Sequence, residues 1–148
     1  MMLNQDLALL IKRAIEKRKG LFDSSTNVFR IFNGFLEGIP NLVLEIYGTT
    51  LLIIDHNKSS LYESDFYEDI RRICWESFPY LTTAILKQRD QTSDKDKNGI
   101  FLIGNENIQI VQENAIKFAV HPLLNQDSSS YIDTRNLRIW LKEIRAGK

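Results

Sequence analysis

The residues best suited to bind a ligand lie near the C-terminal end, in the segment DSSSYIDTR at positions 127–135. Tyr131, Asp133 and Arg135 stand together there, directly before a helical pattern. The N–H groups of a helix N-terminus and a nearby guanidinium can hold a polar edge of a ligand. The same residues also fit a structural role, in which Asp133 or Thr134 caps the helix and Arg135 is exposed. The segment therefore predicts either a binding edge or an ordinary helix start.

The helix that follows this segment has two distinct faces. Its apolar side chains repeat at helical spacing, which predicts one face that packs against something. Its basic side chains fall in a single arc of roughly 80° beside that face. The apolar set is Leu137, Trp140, Leu141 and Ile144, and the basic set is Arg135, Arg138, Lys142 and Arg145.

Further basic residues occur on strand-like segments. A basic surface made from them could reach RNA phosphates, although ordinary solvated charges are the favoured explanation. The candidate RNA-binding residues are Arg30, Lys87, Arg89, Arg138 and Lys142, with Lys95 and Lys97 in a following loop. The aromatic residues Tyr47, Phe29, Phe32 and Phe35 alternate with apolar neighbours, which favours a place in the core over base stacking.

Several kinds of catalytic chemistry are not supported. Neither G-x-G-x-x-G nor G-x-x-x-x-G-K-[ST] occurs, so the chain lacks a nucleotide-binding loop of its own. Cys74 lies on the apolar face of a predicted helix and reads as core, while His56 and His121 have no metal-ligand spacing. A weaker alternative is a small enzyme that uses Glu113 and Asp133 as a pair of catalytic carboxylates. Acid–base catalysis requires the two groups to lie close together in space, which the sequence cannot show. We predict no catalytic and no metal-binding residue.

Composition sets the size and class of the protein. The 148 residues, 43% of them hydrophobic, suffice for a single domain over 1–148. The 19 basic and 19 acidic residues cancel, so any electrostatic surface must be local. There is no apolar run of membrane-spanning length and no secretory signal layout, which predicts a cytoplasmic protein.

The hydrophobic pattern predicts an α+β domain with an antiparallel, strand-rich sheet and helices packed on it. A first amphipathic helix ends at Gly20, and three strand-like runs follow as a meander with a tight hairpin at YGTT. A second helix at 60–78 precedes a fourth strand, TTAILKQR. An exposed loop, DQTSDKDKNG, and two short strands around Glu113-Asn114 lead to the last helix.

Three segments resemble a known family. RIFNGFLEGIPNLVLEIYG, VQENAIKFAV and SSSYIDTRNLRIWL are similar, in order and spacing, to motifs of the S-adenosylmethionine (SAM)-dependent methyltransferase family that contains the 5-methylcytosine methyltransferases of large-subunit ribosomal RNA. Asn41, Ala115 and Ser130 stand where the family has glycine. The resemblance identifies the chain as the part that precedes the catalytic domain.

This resemblance implies separate roles for two domains. The last helix would be the first helix of a Rossmann-like domain that holds the SAM cofactor and the catalytic cysteines, and that domain is absent here. Tyr131, Asp133 and Arg135 would lie near the SAM pocket, and the strand-rich domain would position ribosomal RNA. The chain alone would then neither bind SAM nor transfer a methyl group.

A second interpretation comes from another functional class. The chain would be an independent interaction module whose last helix pairs through Leu137, Trp140, Leu141 and Ile144, in a homodimer or with a partner protein. The sequence leaves both interpretations open.

Overall fold

The computed structural model describes residues 4–57, 62–89, 92, 94–124 and 132–147. In that part of the chain the helices are Asn4–Arg18 (α1), Gly34–Glu37 (α2), Ser64–Ser77 (α3), Asp94–Asn98 (α4) and Arg135–Ala146 (α5). The strands are Val28–Asn33 (β1), Leu42–Tyr47 (β2), Thr50–Asp55 (β3), Thr83–Gln88 (β4), Ile100–Ile103 (β5), Gln109–Glu113 (β6) and Ile116–Val120 (β7). None of the described helices combines the length and the apolar character needed to span a membrane.

The main sheet has the strand order β1-β2-β3-β4-β5. The first three strands form the predicted antiparallel meander. The predicted hairpin between β2 and β3 is also confirmed. Gly48, with a φ of +60°, supplies the left-handed residue that its two-residue loop requires.

The prediction of an antiparallel sheet is wrong for one pair of strands. β4 runs parallel to β3, and α3 lies between them in the chain. A parallel pair needs a crossover of a dozen or more residues, and the helix supplies that length. The strand β5, which pairs antiparallel to β4, and the short helix α4 inside the predicted loop were not anticipated.

The two faces of the sheet are covered by different elements. Alternate residues of each strand point to opposite faces. One set packs under α1 and α3 in the larger core, and the other packs under the separate β6–β7 hairpin in a smaller core. The larger core includes Ile11, Ile31, Leu44, Ile53 and Ile70, and the smaller one includes Val28, Leu52, Ile85, Val111 and Val120.

A buried carboxylate joins the crossover helix to the end of β3. Asp55 accepts a hydrogen bond of 2.7 Å from the Tyr67 hydroxyl on α3. It also accepts bonds from the backbone N–H of Asn57, at 2.9 Å, and from its side-chain amide, at 2.6 Å. Because a buried carboxylate needs such partners, this network fixes where the chain leaves β3.

The aromatic residues predicted as core divide into two groups. Phe29, Phe32 and Tyr47 are buried, which confirms the prediction for them. For Phe35 the prediction is wrong, since 80% of this residue is exposed. Phe35 lies on α2 and not on a strand, so the alternation that buries its neighbours ends before it.

Candidate docking site at helix α5

The predicted C-terminal helix is present as α5, and no residue in it is buried. Its apolar face lies open: the relative exposures of its four large apolar residues range from 45% to 54%. These residues are Leu137, Trp140, Leu141 and Ile144. A contiguous open apolar face of this kind is typical of a surface that contacts another protein or domain.

A charged pair attaches α5 to the β6–β7 hairpin. Arg138 donates from Nε and Nη2 to the two carboxylate oxygens of Glu113, at 2.8 Å each. Its Nη1 also donates to the hydroxyl oxygen of Thr134, one turn earlier. Glu113 is buried, whereas 39% of the Arg138 side chain is exposed. This bidentate geometry restricts the direction in which α5 leaves the domain.

The hairpin that carries Glu113 is itself held by a neighbouring loop. Its turn residues Asn114 and Ala115 have positive φ values of 49° and 67°, as a type I′ hairpin turn requires. The N–H of Ala115 donates to the Ser25 carbonyl at 2.9 Å, and the N–H of Asn114 donates to the Thr26 hydroxyl at 3.1 Å. Glu113 therefore belongs to a firmly supported tip.

The three residues predicted to lie near a cofactor are only partly visible. Tyr131 lies outside the described residues, and Asp133 belongs to the 3₁₀ turn Ile132–Thr134 without a described side chain. Arg135 opens α5 and is half-buried. Hydrogen bonds from Ser25 lower the pKa of Asp23, and the positive charge of Arg135 lowers it further. Arg135 therefore lies close enough to Asp23 for their charges to interact.

Of the two predicted caps of helix α5, Thr134 is wrong and the side chain of Asp133 lies outside the described part of the chain. Thr134 occupies the N-cap position, but its side chain makes no capping hydrogen bond. Its hydroxyl oxygen accepts from Arg138 instead. The Thr134 side chain therefore does not accept from the first-turn N–H groups of α5. Among the described residues, the start of α5 offers one polar edge to a ligand.

Two of the predicted RNA-binding residues are engaged inside the domain. Arg30 donates from Nε and Nη2 to Glu45 Oε1, at 3.0 and 2.6 Å, and Glu45 is buried. Lys87 is fully buried on β4, so its ammonium group does not lie at a surface open to RNA. The prediction of a phosphate contact by Lys87 does not agree with this position.

The other predicted basic residues belong to two parts of the chain, the end of β4 and helix α5. Arg89 follows β4 and is partly exposed, whereas Lys142 is exposed on α5. Arg138, the third, is held by Glu113. Of the two loop lysines, Lys97 is half-buried and the Lys95 side chain lies outside the described part of the chain.

The sequence interpretation considered Glu113 and Arg138 separately and missed their pairing. Each had been given another role, as a weak catalytic candidate and as an RNA contact. The available signal was that Glu113 lies in the second family-like segment and Arg138 in the third, and that their charges are opposite. Because Arg138 occupies both carboxylate oxygens of Glu113, this carboxylate is not placed for acid–base chemistry.

The described residues also bear on nucleophilic and metal chemistry. Burial raises the pKa of the Cys74 thiol to about 12, which confirms the core assignment of this cysteine. No group of three or more histidine, cysteine, aspartate or glutamate side chains within the described ranges could hold a metal ion.

Two solved structures share this fold. A protein of Streptococcus mutans assigned as a SAM-dependent methyltransferase is 19% identical, with a TM-score of 0.76, and the match covers 95% of this chain and 36% of that one. The protein SMU.776, assigned as a methyltransferase and solved in complex with SAH, is 20% identical, with a TM-score of 0.70, and the match covers 93% and 35%. No family model and no curated protein matches the chain.

These comparisons establish the fold at the level of architecture. The α+β domain matches part of two proteins assigned to the methyltransferases, which is the broad class named by the sequence resemblance. The chain spans about a third of the length of either solved structure. The narrower link to ribosomal RNA methylation stays a prediction.

Proposed function

We propose that this chain is the substrate-positioning region of a SAM-dependent methyltransferase, and that it docks on a cofactor-binding domain through α5. The observation that carries this proposal is the open apolar face of α5, held in a defined direction by Arg138 and Glu113. The match to about a third of two larger proteins assigned as methyltransferases supports it.

In this proposal the chain itself is non-catalytic. The described residues near the start of α5 offer the Arg135 guanidinium and first-turn N–H groups, which can contact one polar edge of SAM. They do not supply an enclosed pocket, so we expect SAM to be held mainly by the second domain. Tyr131 and Asp133 would complete the shared edge. We do not expect SAM binding by this chain alone.

The proposed substrate is RNA, and specifically ribosomal RNA. Arg89 and Lys142, which are not buried, are retained as phosphate contacts. Arg30 and Arg138 form internal ion pairs with Glu45 and Glu113 and are not proposed as phosphate contacts. The proposed phosphate contacts therefore come from two elements, the end of β4 and helix α5.

Two experiments test the proposal. The first is to read the source DNA past the Lys148 codon: a frame that continues into an apolar strand and a glycine-rich loop supports it, and an immediate stop codon contradicts an in-chain catalytic domain. The second uses the protein that contains both regions. We expect Trp140→Asp to reduce transfer of labelled methyl groups from SAM to ribosomal RNA by at least about tenfold, because a charge would enter the docked apolar face.

The matched control is Ala146→Asp, which adds the same charge to α5 on the side opposite the apolar face. It should leave the transfer rate nearly unchanged. Equal losses in the two variants would argue against docking through this face. Methylation of ribosomal RNA by the present chain alone would contradict the non-catalytic role.

The homodimer remains a second candidate, because the same exposed face of α5 can pair with a second copy of the chain. This alternative requires self-association at moderate protein concentration, whereas the leading proposal does not.

A further inference from the structure

The one-turn helix α2 displays two large apolar side chains to solvent. The exposed fractions of Phe35 and Leu36 are 80% and 70%, which are the highest values among the large apolar side chains in the described part of the chain. Neither residue takes part in the described contacts of α5. Phe35 and Leu36 therefore form an exposed apolar patch that is separate from the apolar face of α5 in the chain.

The backbone that carries these side chains is tightly built. A Cβ atom on Gly34 would lie 1.7 Å from the Ile39 carbonyl oxygen, so only glycine permits this approach. The N–H groups of Gly38 and Ile39 both donate to the Gly34 carbonyl. Gly38 adopts a φ of +92°, which ends the turn in the left-handed region.

A buried ion pair completes this support. Glu37 accepts a 2.6 Å hydrogen bond from the Asn33 N–H and pairs with Arg18 at 2.7 Å. Only 14% of the Arg18 side chain and 8% of the Glu37 side chain are exposed. Phe35 and Leu36 are thus held outward by a preorganised frame, which lowers the entropy cost of a contact with a ligand.

Two cations lie on the adjoining helix. Arg13 and Lys17 are exposed and four residues apart on α1, and their side chains form no ion pair or hydrogen bond with any residue the structure describes. Arg18 directly follows Lys17, and its guanidinium reaches Glu37 of α2. The Arg18–Glu37 pair therefore places the C-terminal end of α1 next to α2.

We infer that α2 and the end of α1 form a contact site for single-stranded RNA, in which a base stacks on Phe35 and phosphates lie at Arg13 and Lys17. This inference rests on the proposed RNA-positioning function and locates a contact surface for it. Leu36 provides an apolar contact for the sugar or base edge beside the stacked base.

The size of the patch favours RNA over a protein partner. A stable protein–protein interface buries about 800 Å² on each partner, far more than two side chains supply. A base needs only one aromatic face, and nearby unpaired cations suit its phosphates. Exposed aromatic and cationic groups on a rigid support therefore match a nucleotide segment.

The test measures binding of a fluorescein-labelled oligouridine of about 12 nucleotides by fluorescence anisotropy. We expect Phe35→Ala to weaken binding by about tenfold, which is within the range for loss of one stacked base, and Phe35→Trp to retain it. Ile110→Ala is the matched control, because Ile110 is 63% exposed on the hairpin, and it should bind like the parent protein.

A salt series tests the cations separately. The double variant Arg13→Gln and Lys17→Gln should reduce the slope of log affinity against log salt by about 1.4, which corresponds to two phosphates of a single strand. Glu16→Gln, one turn from Arg13 on the same helix, removes an anion in place of a cation and should not reduce the slope.

The outcomes separate this inference from the proposed function. If the parent chain binds RNA but neither Phe35→Ala nor the double cation variant weakens it, the site at α2 is wrong and RNA positioning stands. If the parent chain binds no RNA, both are contradicted. Binding of anionic vesicles that depends on Phe35, with RNA binding unaffected by its replacement, would assign the patch to a membrane and overturn the RNA site.

Discussion

Glu113 and Arg138 lie 25 positions apart in the chain, and their pairing connects the β6–β7 hairpin to α5. The carboxylate is buried and the guanidinium is partly exposed, so the pair combines a desolvated acceptor with a donor that water still reaches. Such a pair contributes more to the direction of α5 than to the total stability, because solvent screens the exposed partner.

Replacement of Glu113 by Gln should loosen α5 more than it destabilises the domain. We expect the free energy of unfolding to fall by about 1 kcal/mol, since one charge-assisted pair becomes a neutral one. Amide hydrogen exchange should accelerate along α5 and remain unchanged in the β2–β3 hairpin.

Lys142→Gln provides the control for that experiment, because Lys142 lies on the same helix and makes no contact with Glu113 in the described structure. It should change neither stability nor exchange. Identical exchange of α5 in Glu113→Gln and the parent protein would show that the pair does not hold the helix.

At the scale of elements, α2 is a turn that depends on one close backbone approach. The carbonyl oxygens of Ile39 and Leu42 lie 1.7 and 2.4 Å from the position of a Cβ atom on Gly34. The chain must therefore fold back over residue 34 to start β2, and any side chain there forces the two segments apart.

Gly34→Ala should consequently be destabilising, whereas Gly20→Ala should not. We expect the first change to cost about 1–3 kcal/mol or more, as overpacking does in close-packed sites. An ideal Cβ on Gly20 meets nothing within 4 Å, so its replacement should be neutral or stabilise by up to about 1 kcal/mol.

Urea unfolding monitored by tryptophan fluorescence measures both changes. Equal stabilities of Gly34→Ala and Gly20→Ala would mean that the backbone relaxes around residue 34. Phe35 and Leu36 would then not be held outward by a rigid turn. A lower RNA affinity of Gly34→Ala than of the parent protein would show the effect of this change on the proposed site.

At the scale of the whole molecule, open apolar surface coexists with a formal net charge of zero at pH 7. Zero net charge removes the long-range repulsion that keeps many proteins apart. Helix α5 carries four exposed large apolar side chains, more than any other described helix, so its apolar face is the expected point of contact between copies.

Sedimentation velocity at pH 7 should accordingly show concentration-dependent association of the parent chain. Trp140→Asp should shift the chain to the monomer, because the charge would be buried without a partner in the contact. Ala146→Asp should associate like the parent. A mass unaffected by Trp140→Asp would exclude α5 as the contact, and a parent chain that stays monomeric would contradict the homodimer alternative.

Most of the helices and strands could be predicted from the sequence because their signals are local. The period of Leu7, Ile11, Ala14 and Ile15 specifies α1, and the two-residue link at Gly48 specifies the β2–β3 hairpin. The amphipathic pattern of α5 is equally local. The broad methyltransferase resemblance also came from short segments in sequence order.

The tertiary structure decided the features that depend on distant parts of the chain. The parallel pairing of β3 and β4 depends on the crossover through α3, and Lys87 is buried on β4 beside Gly99. Arg138 is committed to Glu113 only because the hairpin tip and α5 meet. Phe35 is exposed because the backbone closes over Gly34. A residue's type and local period determine which element it joins, but its contacts depend on how those elements pack.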